Sequence, residues 1–200
     1  MNALFNAFVF YAVWFSAVWL AGSGQPLPAL SICLGAVAFH LAVTSPSPRW
    51  REMMVVGLSA LMGLGLEAAF IAGGLTAFPM PASGALGSTN TPGWTGGLLA
   101  WAPPVWLIGL WAAFGTLLNV SLAPLKKRPG LAAGLAALGG PASYYAGERL
   151  GAIALAEPRM LTLAILGAAW AIVFPLLLRA SSWLGESAAG GPADHTSSPT

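Results

Sequence analysis

Ionisable and hydrogen-bonding side chains are scarce in the apolar stretches of this chain, and those present fall into two groups. The first sets Glu67 against Glu148 and Arg149, which lie beside Tyr144 and Tyr145. A carboxylate and a guanidinium in a low dielectric need partners to stay charged. Glu67 and Arg149 are therefore expected within direct or single-water contact, with Tyr144 or Tyr145 adding a hydrogen bond. Such a pair either locks two helices together or forms a site for a proton or a substrate. The second group is Asn6, His40, Thr116, Asn119 and Ser121. Here the bland reading is interhelical hydrogen bonding, at about 0.6 kcal/mol per bond. His40 can titrate, but no second His or Cys stands at ligand spacing, so no metal is expected. Phosphate-binding glycine loops, nucleophile elbows and paired-histidine motifs do not occur, so catalytic residues stay unassigned and no cofactor is implied.

Composition says what must carry these groups. Of 200 residues, 57% are hydrophobic and 7% charged, against about 25% charged in a soluble domain. So few charges cannot cover a soluble surface. A net charge of +2 does not suggest nucleic acid, and the single Cys33 excludes an internal disulfide.

A membrane span needs about 20 mostly apolar residues, and backbone in lipid must satisfy itself as helix. Six stretches qualify: Ala3–Gly22, Pro26–Val43, Met53–Ala77, Pro103–Ala123, Gly130–Ala156 and Arg159–Ala180. The expectation is an all-α polytopic transmembrane bundle over residues 1–185, followed by a disordered cytoplasmic tail over 186–200. The first stretch lacks the basic start of a signal peptide, so it is expected to remain as a span. Clustered positive residues fall on alternate connections: Arg49 and Arg51, then Lys126, Lys127 and Arg128, then Arg179. The positive-inside rule puts both termini in the cytoplasm. The longest outer connection, Phe78–Ala102, carries Trp94 and Trp101 and reads as a loop, or as a lid at the interface.

Within this frame Glu67 lies fourteen residues beyond Met53, about 21 Å along a helix and in the outer half. It shares a face with Ala60, Gly63, Phe70 and Gly74 that should pack inside the bundle. The second group lies towards the cytoplasmic side, with Asn119 on the stripe Gly109, Ala112, Thr116 and Ala123. Gly140, Gly147 and Gly151 suit close helix packing, and Gly139-Gly140-Pro141 and Pro175 suit kinks. Trp14, Trp106, Trp111 and Trp170 lie deep, as core packing or as the wall of a lipid-facing groove.

Three stretches together resemble a known family: FNAFVFYAVWFSAVWLAG from Phe5, PVWLIGLWAAFGTLLNVSL from Pro104 and GGPASYYAGERLGAIAL from Gly139. The sharpest pieces are Pro104-x-Trp106 with Leu110-Trp111 and Phe114, Thr116-Leu117-x-Asn119-x-Ser121, and Gly140-Pro141-x-Ser143-Tyr144. The chain is similar, up to about Trp183, to small bacterial inner-membrane proteins classed as a domain of unknown function. That family is often encoded near lipid-modifying enzymes such as cyclopropane fatty acid synthase. It commonly has His where Val120 stands and Asp near Glu67, so a site needing that second histidine is absent here. The resemblance implies an accessory factor in membrane lipid or fatty-acyl modification, with membrane lipids and a lipid-modifying enzyme as partners. A small-solute or lipid transporter using a Glu67/Arg149 layer is the alternative. An integral-membrane enzyme is a third, weakened by the distance expected between His40 and Glu67.

Overall fold

The structure, a computed structural model, describes residues 2–43, 49–79 and 101–186. The readings placed on 80–100, including Trp94, and on the tail beyond 186 lie outside the described residues. Six α-helices follow one another: α1 Ala3–Gly22, α2 Pro26–Val43, α3 Arg49–Ala72, α4 Val105–Gly115, α5 Pro129–Arg149 and α6 Arg159–Glu186. Asn2 caps α1 by accepting the Phe5 amide at 3.0 Å, and Pro26 opens α2 where its missing amide costs nothing. The helices α5 and α6 run unbroken through Pro141 and Pro175.

Three helices close alike. After α1, α3 and α5 the chain turns on Gly24, Gly74 and Gly151, each at positive φ. In each the next amide reaches back five residues: Gln25 to Leu20, Leu75 to Phe70 and Ala152 to Gly147. This cap needs a left-handed residue, which glycine adopts without strain. It corrects two expected spans. The third and fifth end before Thr76 and Ala154 because these caps stop them. Beyond them, strand β1 (Thr76–Ala77) pairs antiparallel with strand β2 (Ala154–Leu155). Gly151 therefore serves a turn, whereas Gly140 and Gly147 do pack closely, against Trp170 and Ile153.

The element ends gather at two poles. One holds the C-termini of α1, α3 and α5, where Gly22 meets the Leu150 carbonyl. At the other, His40 near the end of α2 meets Glu52 in the first turn of α3. Ser121 reaches the Ala3 carbonyl there. Four helices, α1, α2, α3 and α6, are long and apolar enough to cross a membrane. Large apolar side chains point outward from α1 at Leu4, Phe8, Tyr11, Phe15 and Trp19, as a lipid-facing surface requires.

The expected fourth span is corrected most. The helix α4 has eleven residues, about 16 Å and half a bilayer. Residues 116–122 then form turns, and Ala123–Lys127 a 3-10 helix. Irregular backbone at membrane depth survives only when protein surrounds it. Accordingly α4 packs against α1, α2 and α3, and seven of its eleven residues are buried.

At Gly115 an added Cβ would lie 2.9 Å from both the Val56 Cα and the Ser59 Cβ, whereas at Gly57 it would meet nothing. Gly115→Ala should cost about 1–3 kcal/mol by forcing α3 from α4. Gly57→Ala should gain about 0.5–1 kcal/mol. Thermal unfolding of the two variants in one detergent should give opposite shifts.

Candidate functional site

The helix α3 carries one buried stripe, Glu52, Val55, Ser59, Gly63, Glu67 and Phe70, at spacings of three and four. Its two carboxylates stand fifteen residues apart, about 22 Å along the helix. Each organises a separate polar layer.

Glu67 is 1% exposed. The indole Nε1 of Trp111 on α4 donates to its Oε1 at 3.0 Å, and the Tyr144 hydroxyl on α5 donates to the same oxygen. The other oxygen, Oε2, is buried with no hydrogen-bond partner among the described residues. The ring of Trp111 stacks on Trp170 of α6, with centroids 4.9 Å apart and planes 15° from parallel. Each outer face of this stack rests on a glycine. A Cβ at Gly63 would fall 2.1 Å from Trp111 Cγ, and one at Gly140 would fall 2.4 Å from Trp170 Cγ. Only hydrogen at those positions lets the backbones of α3 and α5 come so close to flat rings. Ser59 fixes the height of α4 by donating to the Trp111 carbonyl at 2.6 Å.

Over this floor opens a cavity of about 630 Å³, between α1 on one side and α5 on the other. Glu67, Trp111, Tyr144 and Trp170 all contribute to its lining, and Trp14 and Trp106 join them. All four deep tryptophans thus border the cavity. At its mouth Tyr11 and Leu135 are exposed on the outer, apolar surface. The cavity is a groove with a lateral opening and a polar floor.

The second layer closes the opposite pole. His40 Nε2 lies 3.3 Å from Glu52 Oε2, and Asn119 Nδ2 donates to Glu52 Oε1 at 3.0 Å. Lys126 Nζ donates to Asn119 Oδ1 at 2.6 Å, and Ser121 Oγ donates to Asn6 Oδ1 at 2.6 Å. Thr116 bonds only locally, to the Ala113 carbonyl. His40 and Asn6 are each 2% exposed and face protein. These bonds tie the irregular stretch after α4 to α1, α2 and α3. Among the described residues no three His, Cys, Asp or Glu side chains gather as metal ligands.

The expected Glu67–Arg149 pair does not form. Tyr144 and Trp111 satisfy one oxygen of Glu67 with neutral donors, while Arg149 is exposed at the last turn of α5. Glu148 pairs instead with Arg159, at 3.1 Å, and Tyr145 turns outward. The transporter reading built on a Glu67/Arg149 layer loses its cation. Sequence reasoning also missed Glu52 and Lys126. Glu52 fell one residue outside the expected span, yet its spacing to Ser59, Gly63 and Glu67 marks the same stripe. Lys126 counted only towards orientation.

Glu52→Ala should lower unfolding stability by about 2–4 kcal/mol, since His40 and Asn119 each lose a buried charged partner. Tyr144→Phe, which removes one of two donors on Glu67, should cost about 1–2 kcal/mol. Chemical unfolding in detergent would check the order; an equal or reversed effect would contradict the assignment of Glu52 as the polar hub.

Neither the curated proteins nor the solved structures contain a match to this chain. One family does match, described as "Protein of unknown function (DUF2878)", and it covers residues 3–176, which takes in both polar layers and every wall of the groove. The protein is a helical membrane protein of the DUF2878 family.

Proposed function

We propose that this protein crosses a bacterial inner membrane six times, with both termini in the cytoplasm, and serves as an accessory factor in the modification of membrane lipids or fatty-acyl chains. Support for the topology comes from the alternation of element ends between two poles. The pole with Glu52 and Lys126 also carries Arg49, Lys127 and Arg128, as the positive-inside rule requires. The six passages count α5 and the fourth passage, Val105–Lys127, with the four long apolar helices.

The observation that carries the lipid reading is the groove. Its volume of about 630 Å³ is within the range of small-molecule sites, and its walls are almost wholly apolar. Its mouth between Tyr11 and Leu135 faces the surface that lipid tails cover, so a chain would enter sideways without passing through water. In this reading the protein holds a lipid chain, and a partner lipid-modifying enzyme makes and breaks the bonds.

A transporter remains the second reading, favoured by one observation. Glu67 is an intramembrane carboxylate with one oxygen unpartnered among the described residues, and such groups commonly carry protons or cations. Its polar layer would be Glu67 with Tyr144.

Two measurements test these readings. After replacement of Cys33, a cysteine at Ser23 should react with an impermeant maleimide from the periplasm, and one at Lys127 only after permeabilisation; the reverse would overturn the topology. A strain lacking the gene should show altered acyl-chain composition, restored by the wild-type protein but not by Gly139→Phe. Gly139 borders the groove and an added Cβ there meets nothing within 4 Å, so the ring should fill the groove without breaking the helix. An unchanged acyl profile with a solute-uptake defect would favour transport.

A further inference from the structure

The floor of the groove says which chemical group its occupant carries. Nine aromatic side chains border the cavity: Phe10, Phe114 and Phe174 with Tyr11, Tyr144 and the four deep tryptophans. They are joined by one carboxylate, Glu67, while none of the described lining residues is Lys, Arg or His. Both intramolecular donors of Glu67 converge on Oε1, leaving Oε2 buried and without a hydrogen-bond partner among the described residues. A buried carboxylate oxygen with no donor is costly, and the cost ends when a donor arrives. The aromatic faces limit what that donor is. The negative faces of indole and phenol rings attract cations, more strongly when water is excluded, and they offer nothing to an anion.

We propose that the groove binds a protonated amine carried on an apolar chain, with the ammonium at Glu67 Oε2 beside the ring of Tyr144 and the chain running towards the mouth at Tyr11 and Leu135. This assignment rests on the groove being a ligand site and adds the identity of its head group. It separates ligands that an apolar cavity alone would accept equally. A fatty acid brings a second carboxylate to Glu67 with no cation between them. A phospholipid brings a phosphate that no lining side chain neutralises. A long-chain alcohol supplies a donor to Oε2 but no charge, so it gains the hydrogen bond and not the cation–π attraction. The amine supplies both.

The test is titration of dodecylammonium chloride, dodecanol and sodium dodecanoate into the protein in phosphatidylcholine nanodiscs, with empty nanodiscs subtracted. Dodecylammonium should bind at least about tenfold more tightly than dodecanol, the difference one desolvated charge contact makes, and dodecanoate should not bind. Glu67→Gln keeps an acceptor for Trp111 and Tyr144 and should erase the preference for the amine while dodecanol still binds. Gly139→Phe should abolish binding of both amine and alcohol. Equal affinities of wild-type protein for amine and alcohol, tight dodecanoate binding, or a preference that survives in Glu67→Gln would overturn the head-group assignment. Should Glu67→Gln fail to fold, the wild-type ranking decides. Loss of chain binding in Gly139→Phe with no preference for the amine would spare the groove reading; chain binding untouched by Gly139→Phe would end that reading too.

Discussion

A carboxylate inside a helix bundle has to be met by donors, and the way Glu67 is met fixes much of this molecule. Its two donors come from different helices, Trp111 on α4 and Tyr144 on α5. For Trp111 to reach it, the indole must lie flat against α3, so Gly63 can be nothing larger. The far face of that ring is covered by Trp170 on α6, whose own far face requires Gly140 on α5. One buried acid thus holds four helices in register through a stack of two rings between two glycines. The same stack keeps α4 and α6 a ring-pair apart, and that spacing leaves room for the groove.

Much of this was legible in the sequence, and the failures share a cause. The first two helices were read to the residue, because the ends Gly22 and Pro26 are written in glycine and proline. Glu67 was read on one inward face with Ala60, Gly63, Phe70 and Gly74, with Tyr144 nearby; Gly63 and Phe70 are buried on that face and Tyr144 reaches Glu67, whereas Gly74 closes the helix. What failed was the choice of partner. Charge rules point Glu67 towards Arg149, but an indole and a phenol satisfy one carboxylate oxygen without a second ion to desolvate. Composition cannot reveal that, since a tryptophan that donates to an acid looks the same in sequence as one that fills a core. The fourth passage was overextended for a related reason. Apolar content continues to Ala123, while the helix stops at Gly115, packed against Val56 and Ser59 of α3.

The two layers of α3 do opposite work with the same residue type. Glu52 accepts a hydrogen bond from the Asn119 amide, which Lys126 supports in turn, and pairs with His40, which closes its pole. Glu67 keeps one oxygen unspent beside an open cavity. A closed network adds rigidity, whereas an incomplete one stores a cost that an incoming group can relieve. The asymmetry sets a closed fastening and an incomplete one on a single helix.

The shortness of α4 has a consequence for biogenesis. A helix of about 16 Å followed by turns cannot rest alone in lipid, because its trailing carbonyls and the polar groups of Thr116, Asn119 and Ser121 would face hydrocarbon. The partners of Asn119 and Ser121 lie on α3 and α1, which emerge earlier from the ribosome. The fourth passage is therefore stable only when it docks onto helices already inserted, and the α5–α6 pair must close over it afterwards. The chain order from α1 to α6 is then an assembly order, with the groove formed last, at the seam between the first four helices and the final two.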